Sequence, residues 1–437
     1  MRRKWVVLVA ATMVAATACS GQSEGERGEV AAPPSDPAKV SGEITVLTNR
    51  TDQISDGTLK KYADEFGKVY PRVKVKFEGL TDYEGETKIR MNTENYGDVL
   101  LIPNSLSIEQ YPNFFAPLGE AGELSKKFDY TDHATVDGKV YGLSNIGVAN
   151  GFVYNKAVWA KAGITDWPAT PEEFVADLET IKSKTDAVPY YTNYKDGWPL
   201  TNWTNGIGSP ECDPGAYDSL ATTEKPWSEG SDLYAIDKLL YTIVDRELAE
   251  PDPTTTNWED SKSQIGTGKV ASMWLGSWAI SQTRAAAEAA GENPDDLGFM
   301  PFPGQKDGKF CSVLRPDYQY AVNTHSDKKA AARAWIDWYI TKSGQSAAEG
   351  SISSVKGAPL PDTLEAFSDN DVTLIPQHQR NKAEIDGIDK ASEIGITSQQ
   401  YRQKLVDVAR GAADGDMDSY FAELNGKWAE ARQTLGG

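Results

Sequence analysis

Histidine and cysteine are scarce in this 437-residue chain, with three of each. No Cys and His cluster at the short spacings that hold a zinc ion, so nothing nominates a metal centre. The usual catalytic signatures are missing as well. No G-x-S-x-G elbow occurs, and Gly268-Lys269 has neither a glycine five residues upstream nor a hydroxyl residue after the lysine, which excludes a phosphate loop. No cofactor is implied. Cations are in the minority, 44 Lys and Arg against 64 Asp and Glu, for a formal charge of -20. That excess opposes nucleic acid and anionic membrane surfaces as partners.

The N-terminus is where the chain is most explicit. Arg2, Arg3 and Lys4 precede an apolar run from Trp5 to Ala18, then small residues Ala16-Thr17-Ala18 and Cys19. This is the order of an export signal, and 14 apolar residues fall short of the roughly 20 that span a bilayer. The segment resembles a bacterial lipoprotein signal, with Ala16 where such signals usually carry Leu. The resemblance implies removal of residues 1–18 and a lipid on Cys19, which anchors the chain at the outer face of the cytoplasmic membrane. Removal takes away three cations and no acid, so -20 becomes -23. Residues 19–40 are small, polar and proline-bearing, a flexible tether. With Cys19 committed to lipid, Cys212 and Cys311 are an even pair in an oxidising exterior, and we expect them to form a disulfide.

About 395 residues then remain, too many for one ordinary core, so two lobes are expected. The pattern at the start is strand, helix, strand. Ile44 to Leu47 is β-rich; Leu59, Tyr62, Phe66 and Val69 share a helical face; Val73, Val75 and Phe77 alternate with lysines. Val99 to Ile102 is wholly apolar, as in a buried central strand. Such alternation argues for an α/β sheet with its ligand at the carboxyl ends of the strands. Further strands are expected at 151–154, 188–191, 269–275 and 318–322, and a helix at 328–341.

Residual enzyme matches are weak. Ser353-Ser354-Val355-Lys356 and Ser368-Asp369-Asn370 mimic penicillin-recognising enzymes, but no K-T-G accompanies them. Asp414 to Asp418 starts like a calcium loop, yet Ser419 stands where Gly is needed and Asn425 where Glu is needed. Paired carboxylates for glycoside hydrolysis cannot be nominated from so many acids. What accumulates is aromatic: 12 Trp and 19 Tyr. Indole rings stack on the C–H faces of sugars, while amides and carboxylates bind their hydroxyls.

The chain resembles family 1 extracellular solute-binding proteins, the carbohydrate receptors of ABC importers with a maltose-binding type of fold. The carriers of the resemblance include GEITVLTNRTD, YGDVLLIPN, GFVYNKAVWAKAGI, WPATPEEF and GKVASMWLGSW. It implies an α/β, two-lobed, type II periplasmic-binding-protein-like fold with an interlobe cleft and two or three crossing segments. On that pattern, lobe one is 41–105 plus 316–366 and lobe two is 106–315 plus 367–437. It also implies a monomeric carrier, not an enzyme, with a carbohydrate ligand and membrane permease subunits as partners. A non-sugar solute (amino acid, peptide or polyamine) and an exported glycoside hydrolase are the alternatives. Carried over by position, the ligand contacts are Asn49, Arg50 and Asp52 after the first strand, Asn104 after the third, and Trp278. Trp203 is an expected aromatic platform and Tyr154 a lesser candidate. Trp274, inside an apolar strand, and Asp317 complete the set. Arg50 leaves two readings open, an acidic sugar or an ion pair with Asp52. Metabolic labelling with a tagged fatty acid is expected to mark the wild type and not Cys19→Ser; an unlabelled wild type removes the anchor.

Overall fold

A computed structural model describes residues 36–436, so the export signal, Cys19 and most of the tether lie outside the described residues. The first strand, Gly42–Thr48, pairs in parallel with Val73–Gly79 and with Val99–Leu101. Gln319–Asn323 adds antiparallel beside Val99–Leu101, and Phe115–Ala116 and Leu143–Ser144 pair with it in turn. The helix Thr58–Val69 buries Leu59, Tyr62 and Phe66 against this sheet, whereas Val69, at the helix end, is exposed. Phe66 meets the edge of Trp335 at 5.3 Å, and Trp335 stacks on Tyr339 at 5.2 Å. These rings from the helix Lys329–Thr341 close the first core.

A second sheet is built around the long strand Gly147–Asn155, which runs outward from the lobe crossing. Ser272–Gly276, Leu297–Met300 and Lys309–Pro316 pair antiparallel to it, and Thr373–Pro376 lies parallel to Lys309–Pro316. Val188 makes one isolated bridge to Val270, so the run expected at 188–191 is not a regular strand; Pro189 has no N–H for a ladder. The helices Asp232–Asp245, Gln399–Ala409 and Met417–Leu435 cover one face. Asp416 caps the last of these through the Ser419 amide, which gives the acidic turn a structural role.

Three backbone passages join the sheets. At the first and second, the Asp317 amide donates to the Ile146 carbonyl and the Asn145 amide to the Tyr318 carbonyl, both at 3.1 Å. At the third, the Gly147 amide donates to the Ile352 carbonyl at 2.7 Å. The lobe limits therefore differ from those expected. Leu106, Ile108, Tyr111, Phe115, Leu118, Leu124, Phe128, Val140 and Leu143 pack in the first core, so 106–143 belongs with lobe one. Ile352 and Leu364 pack with Phe367 in the second lobe. The reason is topological: the first crossing comes only where Leu143–Ser144 gives way to Gly147, a break invisible in composition. The Ser353–Lys356 motif is part of the third passage. Ser354 Oγ donates to the Ser144 carbonyl and Lys356 pairs with Asp129.

Cys212 and Cys311 are joined, with Cα atoms 5.6 Å apart and 99 residues of separation. Non-reduced peptide mapping is expected to find the linked pair and no free thiol at either position. Cys311→Ser should lower stability by a few kcal/mol, up to about 4–5 on the loop-entropy account, read as a fall in the denaturant midpoint.

Candidate functional site

The carboxyl ends of the first-lobe strands and the crossing-proximal end of the second sheet face the same region of the molecule. After the first strand, Arg50 Nη2 lies 2.8 Å from Asp52 and Nη1 lies 3.0 Å from Glu349. Gln53 Nε2 donates to the other oxygen of Glu349 at 2.9 Å. Burial disfavours the charge on Arg50, but its two carboxylate partners outweigh this and raise its pKa. The guanidinium is therefore already neutralised. Of the two readings of Arg50, the ion pair with Asp52 is the one the geometry supplies. Asn104 is exposed, and its amide donates to Glu84 at 2.9 Å. Glu84 also accepts from Tyr318 Oη at 3.0 Å and so ties the end of the third strand to the crossing. These residues form a polar rim.

At the crossing itself sits Asp317. Burial, reinforced by nearby Glu349, pushes its carboxyl up to about 6, against a hydrogen bond from Asn145 and the fields of Arg315 and Arg50. A separate open groove of about 650 Å³ has Ile108, Glu109 and Asp132 on the first lobe and Gln379 and Lys382 on the second; Arg50, Asn104, Asp317 and Trp278 do not line it.

The aromatic wall belongs to the second lobe. Trp278 follows the strand Ser272–Gly276, and its indole lies over Gly276, where a Cβ would come 2.4 Å from Nε1. Trp198 lies 5.8 Å from Trp278, and Trp258 lies 5.3 Å and 5.7 Å from the two. All three are partly exposed. Asp196 holds two of them together: its carbonyl accepts from the Trp198 amide at 2.8 Å, and its carboxylate from the Trp258 amide at 2.5 Å. Three partly exposed indoles with the Asp196 carboxylate between two of them suit an amphipathic ligand such as a sugar.

Three expected contacts are corrected. Trp203 and Trp274 are core residues, stacked at 5.1 Å with 0 % and 1 % of their surface exposed. Their indole N–H groups are spent on Tyr190 Oη and the Asn202 carbonyl. Trp203 sits in the turn Asn202–Gly206, whose polar neighbours suggested a surface loop, but the turn folds its ring inward against Phe152. Tyr154 is seven residues beyond Gly147 on an outward-running strand, roughly 23 Å from the crossing at strand rise, and its hydroxyl accepts from Trp167. Asn49, Arg50, Asp52, Asn104, Asp317 and Trp278 lie at the interlobe ends. Trp198 and Trp258, which cluster with Trp278, were not singled out from the sequence.

Residues 51–346 match the bacterial extracellular solute-binding protein family, and the chain belongs to that family. A binding protein of an ABC transporter from Bifidobacterium animalis subsp. lactis, solved with mannobiose, is similar with 34 % identity and a TM-score of 0.85, covering 92 % of this chain and 96 % of that one. A manno-oligosaccharide specific solute binding protein of the same organism, solved with mannotriose, shares 32 % identity, a TM-score of 0.85 and the same coverages. The multiple sugar-binding protein of Streptococcus mutans is 25 % identical over 350 residues, 74 % of this chain and 80 % of its own.

Asp317 gives a signed pH prediction. Its folded-state value of about 6 lies above the ordinary 3.8, so the folded chain holds this proton more tightly than the unfolded one. Stability from this group is present below about pH 4, falls as pH rises to about 6, and stays at the lower level beyond. Asp317→Asn should therefore raise the Tm of the unliganded protein at pH 7.5, through a stability gain of at most about 3 kcal/mol, and have little effect near pH 4. A Tm lowered at neutral pH contradicts this.

Proposed function

We propose that the protein is the extracellular substrate-binding component of an ABC importer. It closes its lobes on a short neutral oligosaccharide and hands it to permease subunits without chemical change. Mannobiose and mannotriose are the first candidates, since proteins about a third identical over nearly the whole chain were solved with them. The partly exposed Trp198–Trp258–Trp278 cluster, with Asp196 bonded to two of its members, carries the reading together with the saccharides those similar proteins hold, because aromatic faces next to hydroxyl-binding groups are what a saccharide needs. Ligand shifts the open and closed populations by binding both lobes at once, and the crossings serve as hinges. A lipid on Cys19 would keep the monomeric carrier beside its permease.

Thermal-shift screening followed by calorimetry against mannobiose, mannotriose, raffinose and diacetylchitobiose is expected to give a saturable rise in Tm with at least one of them. Chromatography of the recovered sugar should show no cleavage; cleavage favours a hydrolase, and no binding to any of the four rejects the reading. Trp278→Ala should weaken binding about tenfold, in keeping with the loss of an aromatic contact worth 0.5–1.5 kcal/mol or more. Trp203→Ala instead should lose about 3–5 kcal/mol of stability, as a large ring leaves a packed core. The opposite pattern would restore Trp203 to the cleft and remove Trp278.

A further inference from the structure

Charged groups taken out of water are paired as a rule, and the arginines of this molecule mostly obey. Arg402 pairs with Asp237 with neither side chain exposed, Arg333 pairs with Asp337, and Arg50 has two carboxylates. Arg315 does not. Its Nε is buried without a hydrogen-bond partner, and the guanidinium makes no hydrogen bond or ion pair with any described residue. Burial accordingly pulls its pKa below the ordinary guanidinium value.

Its position gives the exception a direction. Arg315 is the penultimate residue of the strand Lys309–Pro316, opposite Val148, one step from the passage between the lobes. Alternation along the strand places it on the face of Tyr217 rather than that of Leu314. Tyr217 feels Asp386, Arg315 and Asp389 of its own lobe. Tyr111, from the first lobe, feels both Asp386 across the gap and Glu84 beside it. Neither phenol hydroxyl has a hydrogen-bond partner among the described residues, although both rings are buried. An unpaired guanidinium fork and two unpaired hydroxyls thus gather where the lobes meet.

We propose that Arg315 is a specificity-determining residue of the ligand cleft, its guanidinium receiving adjacent hydroxyls of a neutral sugar unit while Tyr217 and Tyr111 take neighbouring ones. The assignment rests on the solute-binding reading above. Five N–H donors in a rigid fork suit two acceptor oxygens at once. The ligand is neutral rather than acidic because the surrounding charge is already negative. Asp317 and Asp386 act on Arg315 or Tyr217 and Glu84 on Tyr111, against Arg315 and Lys382, and Lys382 is engaged with Asp386 at 2.6 Å. A ligand carboxylate would meet that field, whereas a hydroxyl that accepts from Arg315 can donate its own hydrogen bond to one of those acids.

The test is calorimetry of wild type, Arg315→Met and Arg315→Lys with mannobiose, mannotriose and a dimannuronic acid, with the Tm of each empty protein as control. Arg315→Met is expected to weaken the neutral sugars about 10- to 100-fold, the range for losing hydrogen bonds to a charged donor. Its empty Tm should hold or rise, because a half-buried charge without a partner does not stabilise the fold. Arg315→Lys should fall between the two, retaining charge without the fork, and the acidic disaccharide should bind wild type more weakly than mannobiose. Unchanged affinity in Arg315→Met, a clear fall in its empty Tm, or preference for the acidic sugar overturns the assignment. A wild type that binds neither neutral sugar overturns the mannoside reading itself, and is told apart by failing before any substitution is made.

Discussion

Everything in this molecule hangs on the short backbone ladder that links Asn145 to Tyr318, Asp317 to Ile146 and Gly147 to Ile352. These bonds are the only regular structure shared by the two sheets among the described residues, and each sheet has its own aromatic core. Two rigid bodies joined by three extended passages can change their angle by small adjustments of a few backbone dihedrals. Tyr130 sharpens the constraint: its hydroxyl occupies the space a Cβ on Gly147 would need. Glycine is therefore required where the long strand leaves the crossing.

The electrostatics of the gap follow from the same geometry. Carboxylates from four separate segments converge on the crossing, and the one cation of the first-strand turn is held by two of them. Burial keeps Asp317 partly protonated in the acidic range. The rim therefore offers acceptors and the second lobe offers rings. For a solute that is uncharged, hydroxylated and apolar on its faces, these two surfaces are complementary without a metal or a reactive group in either.

Much of the first lobe was legible because its strands are short, strongly patterned and separated by clear breaks. Ile44 to Leu47 and the Val73–Phe77 alternation formed as read, and the Val99 to Ile102 run formed a strand over Val99–Leu101. Lobe limits were not legible, since a chain crossing is a relation between distant segments and leaves no mark on local periodicity. The aromatic site shows the same divide. Trp278 follows a Gly-Ser break and is partly exposed; Trp203 sits among polar residues and yet is buried, because hydrophilic neighbours report the exposure of the turn and not the direction of one ring. Trp258 opens a helix after Asn257 and looked ordinary until Asp196, 62 residues away, drew it beside Trp198.

The bond between Cys212 and Cys311 has a mechanical meaning beyond the stability of its own lobe. Cys311 lies four residues before Arg315 on the same strand, and Cys212 five residues before Tyr217. The two groups that flank the gap from the second lobe are thus stapled to one covalent brace. Their spacing is fixed before any ligand arrives, so whatever freedom the receptor retains is spent on swinging the lobes and not on assembling this corner of the pocket.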